Sequence, residues 1–157
     1  MTPGIKIAKK AKINYKLHEY DHDPDTASYG EEAARELGIS PDRVFKTLVI
    51  ELDSSVLAVS VIPVSKKLDL KGVAKVLGAK RARMADKEQA QRSTGYLLGG
   101  VSPLGQKKRL RTIIEASALF HETIHVSAGR RGLEIELSPE DLKNLTSGSF
   151  AHIAKMD

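Results

Sequence analysis

Two apolar, β-branched runs, Val44 to Leu52 and Val56 to Val64, lie three residues apart, and this pair constrains the fold more than any other feature. Runs of this length suit strands, and Asp53, Ser54 and Ser55 between them have turn chemistry, so a hairpin at the centre of a sheet is expected. Around it the pattern is mixed. Ile13, Tyr15 and Leu17 alternate as a strand, Leu110 to Ile114 resumes strand character, and Thr123 to Ser127 and Leu133 to Leu137 read as the last strands.

Helices are marked by their ends. Thr2 before Pro3 opens a short amphipathic helix ending near Lys12, and Glu31 to Leu37 is closed by Gly38. Asp69 caps the stripe Leu70, Val73, Ala74 and Leu77, which stops at Gly78. Asp86 caps a helix through about Arg92, and Ser138, Pro139 and Asp141 sign a final one. Asp21 to Ser28, with Pro24, reads as loop, and the glycine-rich Gly95 to Gly105 as loop or broken strand. Strands and short helices interleave without regular alternation, which predicts a mixed α/β fold with a largely antiparallel, barrel-like sheet.

At 157 residues, 41% of them hydrophobic, the chain suits one domain spanning 1–157. No apolar stretch approaches the ~18–20 residues needed to cross a bilayer, and Lys6, Lys9 and Lys10 are not followed by the apolar core of a secretory signal, so a cytoplasmic protein is expected. The absence of cysteine removes disulfides, thiolate metal sites and a cysteine nucleophile together. A formal charge of +5 favours polyanionic partners.

Two stretches spell H-E-x-x-H: His18, Glu19, His22 and His121, Glu122, His125. Zinc peptidases carry both imidazoles of this motif on one helical face. Here the surroundings alternate with period two, and histidines four strand residues apart are separated by ~13 Å, so neither pair can readily chelate one ion. Exposed positions on strand faces or at strand ends are the expected setting. Gly100 to Gly105 followed by Gln106 misses the phosphate-loop lysine, and Gly100, Ser102 and Gly105 miss the spacing of a nucleophile elbow.

The segment FKTL at 45–48, together with QRSTGYLLGGVSPLGQKKR at 91–109, resembles the YbaK family of aminoacyl-tRNA editing proteins. The likeness runs from Thr2 and Pro3 through HEYDHDP at 18–24 and MAD at 84–86 into RGLEIEL at 131–137. It implies a mixed sheet curled toward a barrel, helices around it, and a pocket for the charged end of a tRNA.

Residue by residue, the resemblance makes Lys46 the group that grips the terminal adenosine or the carbonyl, with Thr47 beside it. It makes Gly99 to Pro103 a loop in which the Gly99 and Gly100 N–H groups hold a developing oxyanion and Ser102 and Pro103 contact the substrate. Tyr20 and Tyr29 fall near the pocket, and Ser127 with Gly129 corresponds to a loop in which Ala128 replaces a common glycine. The implied activity is hydrolysis of mischarged Cys-tRNA(Pro), and of Cys-tRNA(Cys), by attack of the substrate's own thiol on its carbonyl. No cofactor or metal is expected, and the free protein is expected to be a monomer. The partners are the acceptor end of an aminoacyl-tRNA and a prolyl-tRNA synthetase. Lys67, Lys71, Lys75, Lys107, Lys108, Arg109 and Arg111 are candidates for phosphate contact. Removal of Ala or Ser within the same family, a non-catalytic tRNA-binding module and a zinc peptidase are the competing readings.

Overall fold

A computed structural model describes residues 1–157 apart from Ala27, Ser54 and Asp157. The chain runs α1 (Pro3–Ala11), β1 (Tyr15–Glu19), α2 (Tyr29–Leu37), β2 (Phe45–Leu52), β3 (Val56–Pro63), α3 (Leu70–Val76), β4 (Ala82–Met84), α4 (Lys87–Thr94) and β5 (Arg111–Glu115). A 3₁₀ turn (Ala116–Phe120) follows, then β6 (Ile124–Arg130), β7 (Leu133–Leu137), α5 (Pro139–Thr146) and β8 (Ser149–Ala151).

The expected caps form. Thr2 accepts from Ile5 N–H, Asp69 from Gly72, Asp86 from Gln89 and Ser138 from Asp141, each satisfying an orphan donor of a first helical turn. The hairpin forms as well, β2 and β3 pairing antiparallel from Phe45↔Pro63 to Leu52↔Val56. Its turn includes Ser54, which lies outside the described residues.

The barrel does not form. A five-stranded sheet, β4-β2-β3-β5-β8, stands apart from a three-stranded one, β1-β7-β6. The larger sheet is mixed, because β5 joins β3 and β8 joins β5 in parallel; the smaller is antiparallel throughout. Among the described residues the two meet at one bridge, Val44↔His125, where His125 N–H donates to Arg43 C=O at 3.0 Å. Closure needs a continuous ladder, and β4 and β8, at three residues each, leave both edges of the larger sheet open.

Packing explains the unbroken apolar runs of β2 and β3. Val59 and Val61 face a core shared with Ile124, Val126, Ile135 and Leu137 of the smaller sheet and with Ile5 of α1 and Leu142 of α5. Ala58 and Ile62 face the opposite way, toward Val73 and Leu77 around α3. A strand covered on both sides has no solvent face to mark with polar residues. A third cluster, Ala33, Ala34, Val44 and Val64, seats α2. Among the described residues no helix is long and apolar enough to cross a membrane.

Candidate active site

Side chains on β7 alternate, so Leu133, Ile135 and Leu137 enter the core while Glu134 and Glu136 face the other way. Ser127 pairs with Glu134, and Tyr20 follows β1 on the same face, its N–H bonded to Gly132 C=O at 3.0 Å. Over this face stand the start of α2, the start of β2 and the loop at 97–101, enclosing a cavity of about 300 Å³. That volume is at the lower end of ligand sites.

The cavity gathers Tyr20, Tyr29, Lys46, Thr47, Gly99 and Ser127 from five separate stretches of chain. Lys46 projects from β2, half-buried. Its removal from water lowers the amine below the ordinary lysine value, opposed by Glu31 and reinforced by Lys67. The Thr47 hydroxyl is buried and finds no partner among the described residues. Gly99 has φ +90°, and a Cβ there would lie 3.4 Å from the Tyr29 ring, so glycine suits both the backbone and the close approach. Tyr29 is held from behind by Arg131, whose guanidinium lies 4.5 Å from the ring centroid and 3.2 Å from the buried Glu32 carboxylate.

Gly100, Ser102 and Pro103 are placed elsewhere. The Gly100 N–H is already spent on Leu97 C=O at 2.9 Å, and its α-carbon packs against the Arg130 backbone, where a Cβ would come within 2.7 Å. Ser102 is fully buried beneath α1, its Oγ accepting from Leu104 N–H. Pro103 lines a separate, smaller cavity of about 70 Å³ with Ile7 and Arg109. Of the two glycines expected to donate to an oxyanion, only Gly99 keeps an N–H with no acceptor among the described residues. Ser127 and Gly129 sit in strand β6 at a register shift, rather than in a loop. The seven candidate phosphate-contacting basic residues are all exposed.

Sequence reasoning missed Glu134. It is 6% exposed, lines the cavity, and burial pushes its carboxyl up to about 8, so it carries a proton near neutrality. In LEIEL it is indistinguishable from the more accessible Glu136, and no local signal separates them. Burial also raises the Tyr20 phenol, with Glu134 adding to the effect.

The two H-E-x-x-H stretches are not helical zinc motifs: His18 lies in β1 and His125 in β6. Burial corrects the expected exposure of His125, which is 2% accessible. The fold brings His18 and His125 together from different motifs, their ring centroids 5.0 Å apart.

Residues 23–145 match the model of the family described as an aminoacyl-tRNA editing domain. A relative from Enterococcus faecalis (strain ATCC 700802 / V583), provisionally named Cys-tRNA(Pro)/Cys-tRNA(Cys) deacylase EbsC, is 40% identical over 152 residues, 97% of this chain and 92% of that protein. A proline–tRNA ligase from Shouchella clausii (strain KSM-K16) is 35% identical over 111 residues, 64% of this chain and 19% of the ligase. A crystal structure provisionally described as a trans-editing enzyme for prolyl tRNA synthetase has the same fold, with TM-score 0.82, 20% identity and 99% of each chain covered. The chain belongs to the aminoacyl-tRNA editing domain family, of the YbaK type. By class it is an enzyme that deacylates charged tRNA.

Proposed function

We propose that this enzyme hydrolyses the ester of Cys-tRNA(Pro), and of Cys-tRNA(Cys), using the substrate's thiol as the nucleophile. One observation carries the mechanism: among the described residues no histidine lines the cavity, and the chain has no cysteine, so no lining hydroxyl is paired with an imidazole base. Ser127 Oγ instead accepts from Gly129 N–H at 3.2 Å.

The cysteinyl sulfur attacks its own carbonyl carbon, and the bond from that carbon to the ribose oxygen breaks. The thiol proton ends on the ribose hydroxyl, and the departing thiolactone is opened by water to cysteine. The protein's part is placement. Lys46 fixes the 3′ end, the Gly99 N–H points at the carbonyl oxygen as it gains charge, and Tyr20, Tyr29, Thr47 and Ser127 shape the pocket around the aminoacyl group. Selectivity then follows from chemistry, since a pocket alone separates side chains differing by one small group by only ~1–3 kcal/mol. Phosphate contacts carry little sequence information, which leaves a prolyl-tRNA synthetase to supply the choice of tRNA, in keeping with the likeness to the proline–tRNA ligase.

The test is a panel of tRNA(Pro) charged with Cys, Ala, Ser or Pro. Cys-tRNA(Pro) is expected to be cleaved and the others spared, and Lys46→Ala is expected to slow cleavage roughly 10²-fold. Loss of Ala- or Ser-tRNA at the cysteinyl rate would overturn the thiol route. An unimpaired Lys46→Ala would remove the role given to that lysine.

A further inference from the structure

We propose that His18, His125 and Glu136 form a binding site for a divalent cation of the zinc class, one ligand coming from each strand of the smaller sheet. Register places the three on one face. His125 and Lys16 pair with Glu136, and His18 pairs with Glu134 one alternation further along. His18 Nε2 lies 2.9 Å from Glu136 Oε1, His125 Nε2 lies 4.0 Å from the same oxygen, and the three donor atoms fall within 4.8 Å of one another. Around a tetrahedral ion with bonds of ~2.0–2.1 Å, ligand atoms stand roughly 3.3 Å apart, so modest side-chain rotations bring all three to one centre.

His125 supplies an independent pointer. It is 2% exposed, its Nδ1 is buried without a partner, and neither ring nitrogen makes a hydrogen bond to the described residues. A buried imidazole whose nitrogens go unpaired is costly, and an ion on Nε2, the nitrogen that faces Glu136, would satisfy one of them.

The surroundings orient Glu136 for the task. Its Oε2 accepts from Thr123 Oγ1 at 2.5 Å and lies 3.7 Å from an Arg43 nitrogen, while Arg43 also donates to Thr123 C=O and Oγ1. One carboxylate oxygen is thereby held away, and the other faces both imidazoles, as outer hydrogen bonds hold ligands in metal sites. Side-chain exposures of 30% for His18 and 17% for Glu136 leave an entry path and room for a water as fourth ligand. Two imidazoles and one carboxylate suit zinc better than calcium or magnesium. The ion would tie β1, β6 and β7 together on the same sheet face as Tyr20, Ser127 and Glu134, next to the wall of the cavity. Glu19, exposed and facing Arg130, is not placed to act as the base of a zinc peptidase.

The experiment uses untagged, chelator-stripped protein titrated with Zn²⁺ against a chromogenic chelator, with Co²⁺ absorption in the visible as a second readout. One equivalent per chain is expected, and Zn²⁺ at a hundredfold excess over Kd is expected to raise Tm by roughly 5–10 °C. His18→Ala and Glu136→Gln should each weaken binding at least tenfold and abolish the Tm rise. Melting without metal verifies that these partly exposed positions still fold. A variant carrying His22→Ala, His121→Ala and His152→Ala should bind as wild type. The site is refuted if wild type takes up no equivalent, if His18→Ala binds undiminished, or if uptake disappears only with the other three histidines. None of these results bears on deacylation.

Discussion

Replacing Glu134 by glutamine preserves the side chain's size and polarity and removes its titration. Burial lifts this carboxyl from 4.5 to about 8, so across that interval the folded protein keeps a proton that the unfolded chain releases. The contribution to stability is therefore full below pH 4.5 and is lost as pH rises through about 8, at ~1.4 kcal/mol per pH unit. From about pH 5.5 to about pH 7.5 the loss is on the order of 3 kcal/mol, or roughly 5–10 °C in Tm for a domain of this size. Calorimetric melting in chelator-containing buffer, stepped through that range, should show wild type falling relative to Glu134→Gln by this amount. His125 works in the opposite sense, its contribution being present above 6.5 and lost as pH falls toward about 4. It is common to both proteins and cancels in the difference. Parallel curves, or a wild type that gains on the variant as pH rises, would refute the claim that Glu134 is held protonated by its burial.

Gly99→Ala places a Cβ at a backbone φ of +90° and 3.4 Å from the Tyr29 ring, so a loss of roughly 1–2 kcal/mol is expected. Deacylation by this variant, measured well below its melting point, should fall as well; an unchanged rate would separate Gly99 from the reaction. Arg131→Met leaves the Glu32 carboxylate, 1% exposed, without its cation and Tyr29 without its support. Urea denaturation should show a loss of about 2–3 kcal/mol, with partial recovery when Glu32→Gln is added. No recovery would mean that the ion pair is not what holds α2 against the turn between β6 and β7.

Elements marked by local chemistry were readable from the chain. Thr2, Asp69, Asp86 and Ser138 each announced a helix by a side chain that satisfies a donor three residues on, and the 44–52 and 56–64 runs announced the hairpin. Strands β4 and β8 were not readable, because three residues are too few to show a period, and both are defined only by the strand they join. The division into two sheets was likewise hidden, since it depends on Val44 and His125 meeting once and the strands then diverging.

The site divides along the same line. Lys46, Thr47 and Gly99 stood in motifs whose likeness to a family marks them, whereas Glu134 looks in LEIEL like any outward-facing strand carboxylate. What turns it into a buried acid is α2 and the 97–101 loop closing over that face. His18 and Glu136, separated by 118 residues, meet only because β1 and β7 pair. Caps, turns and periodicity arise from interactions within a few residues and so are written in order along the chain. Burial, charge state and cluster geometry arise from whatever packs against a face, and that partner is chosen by the whole fold.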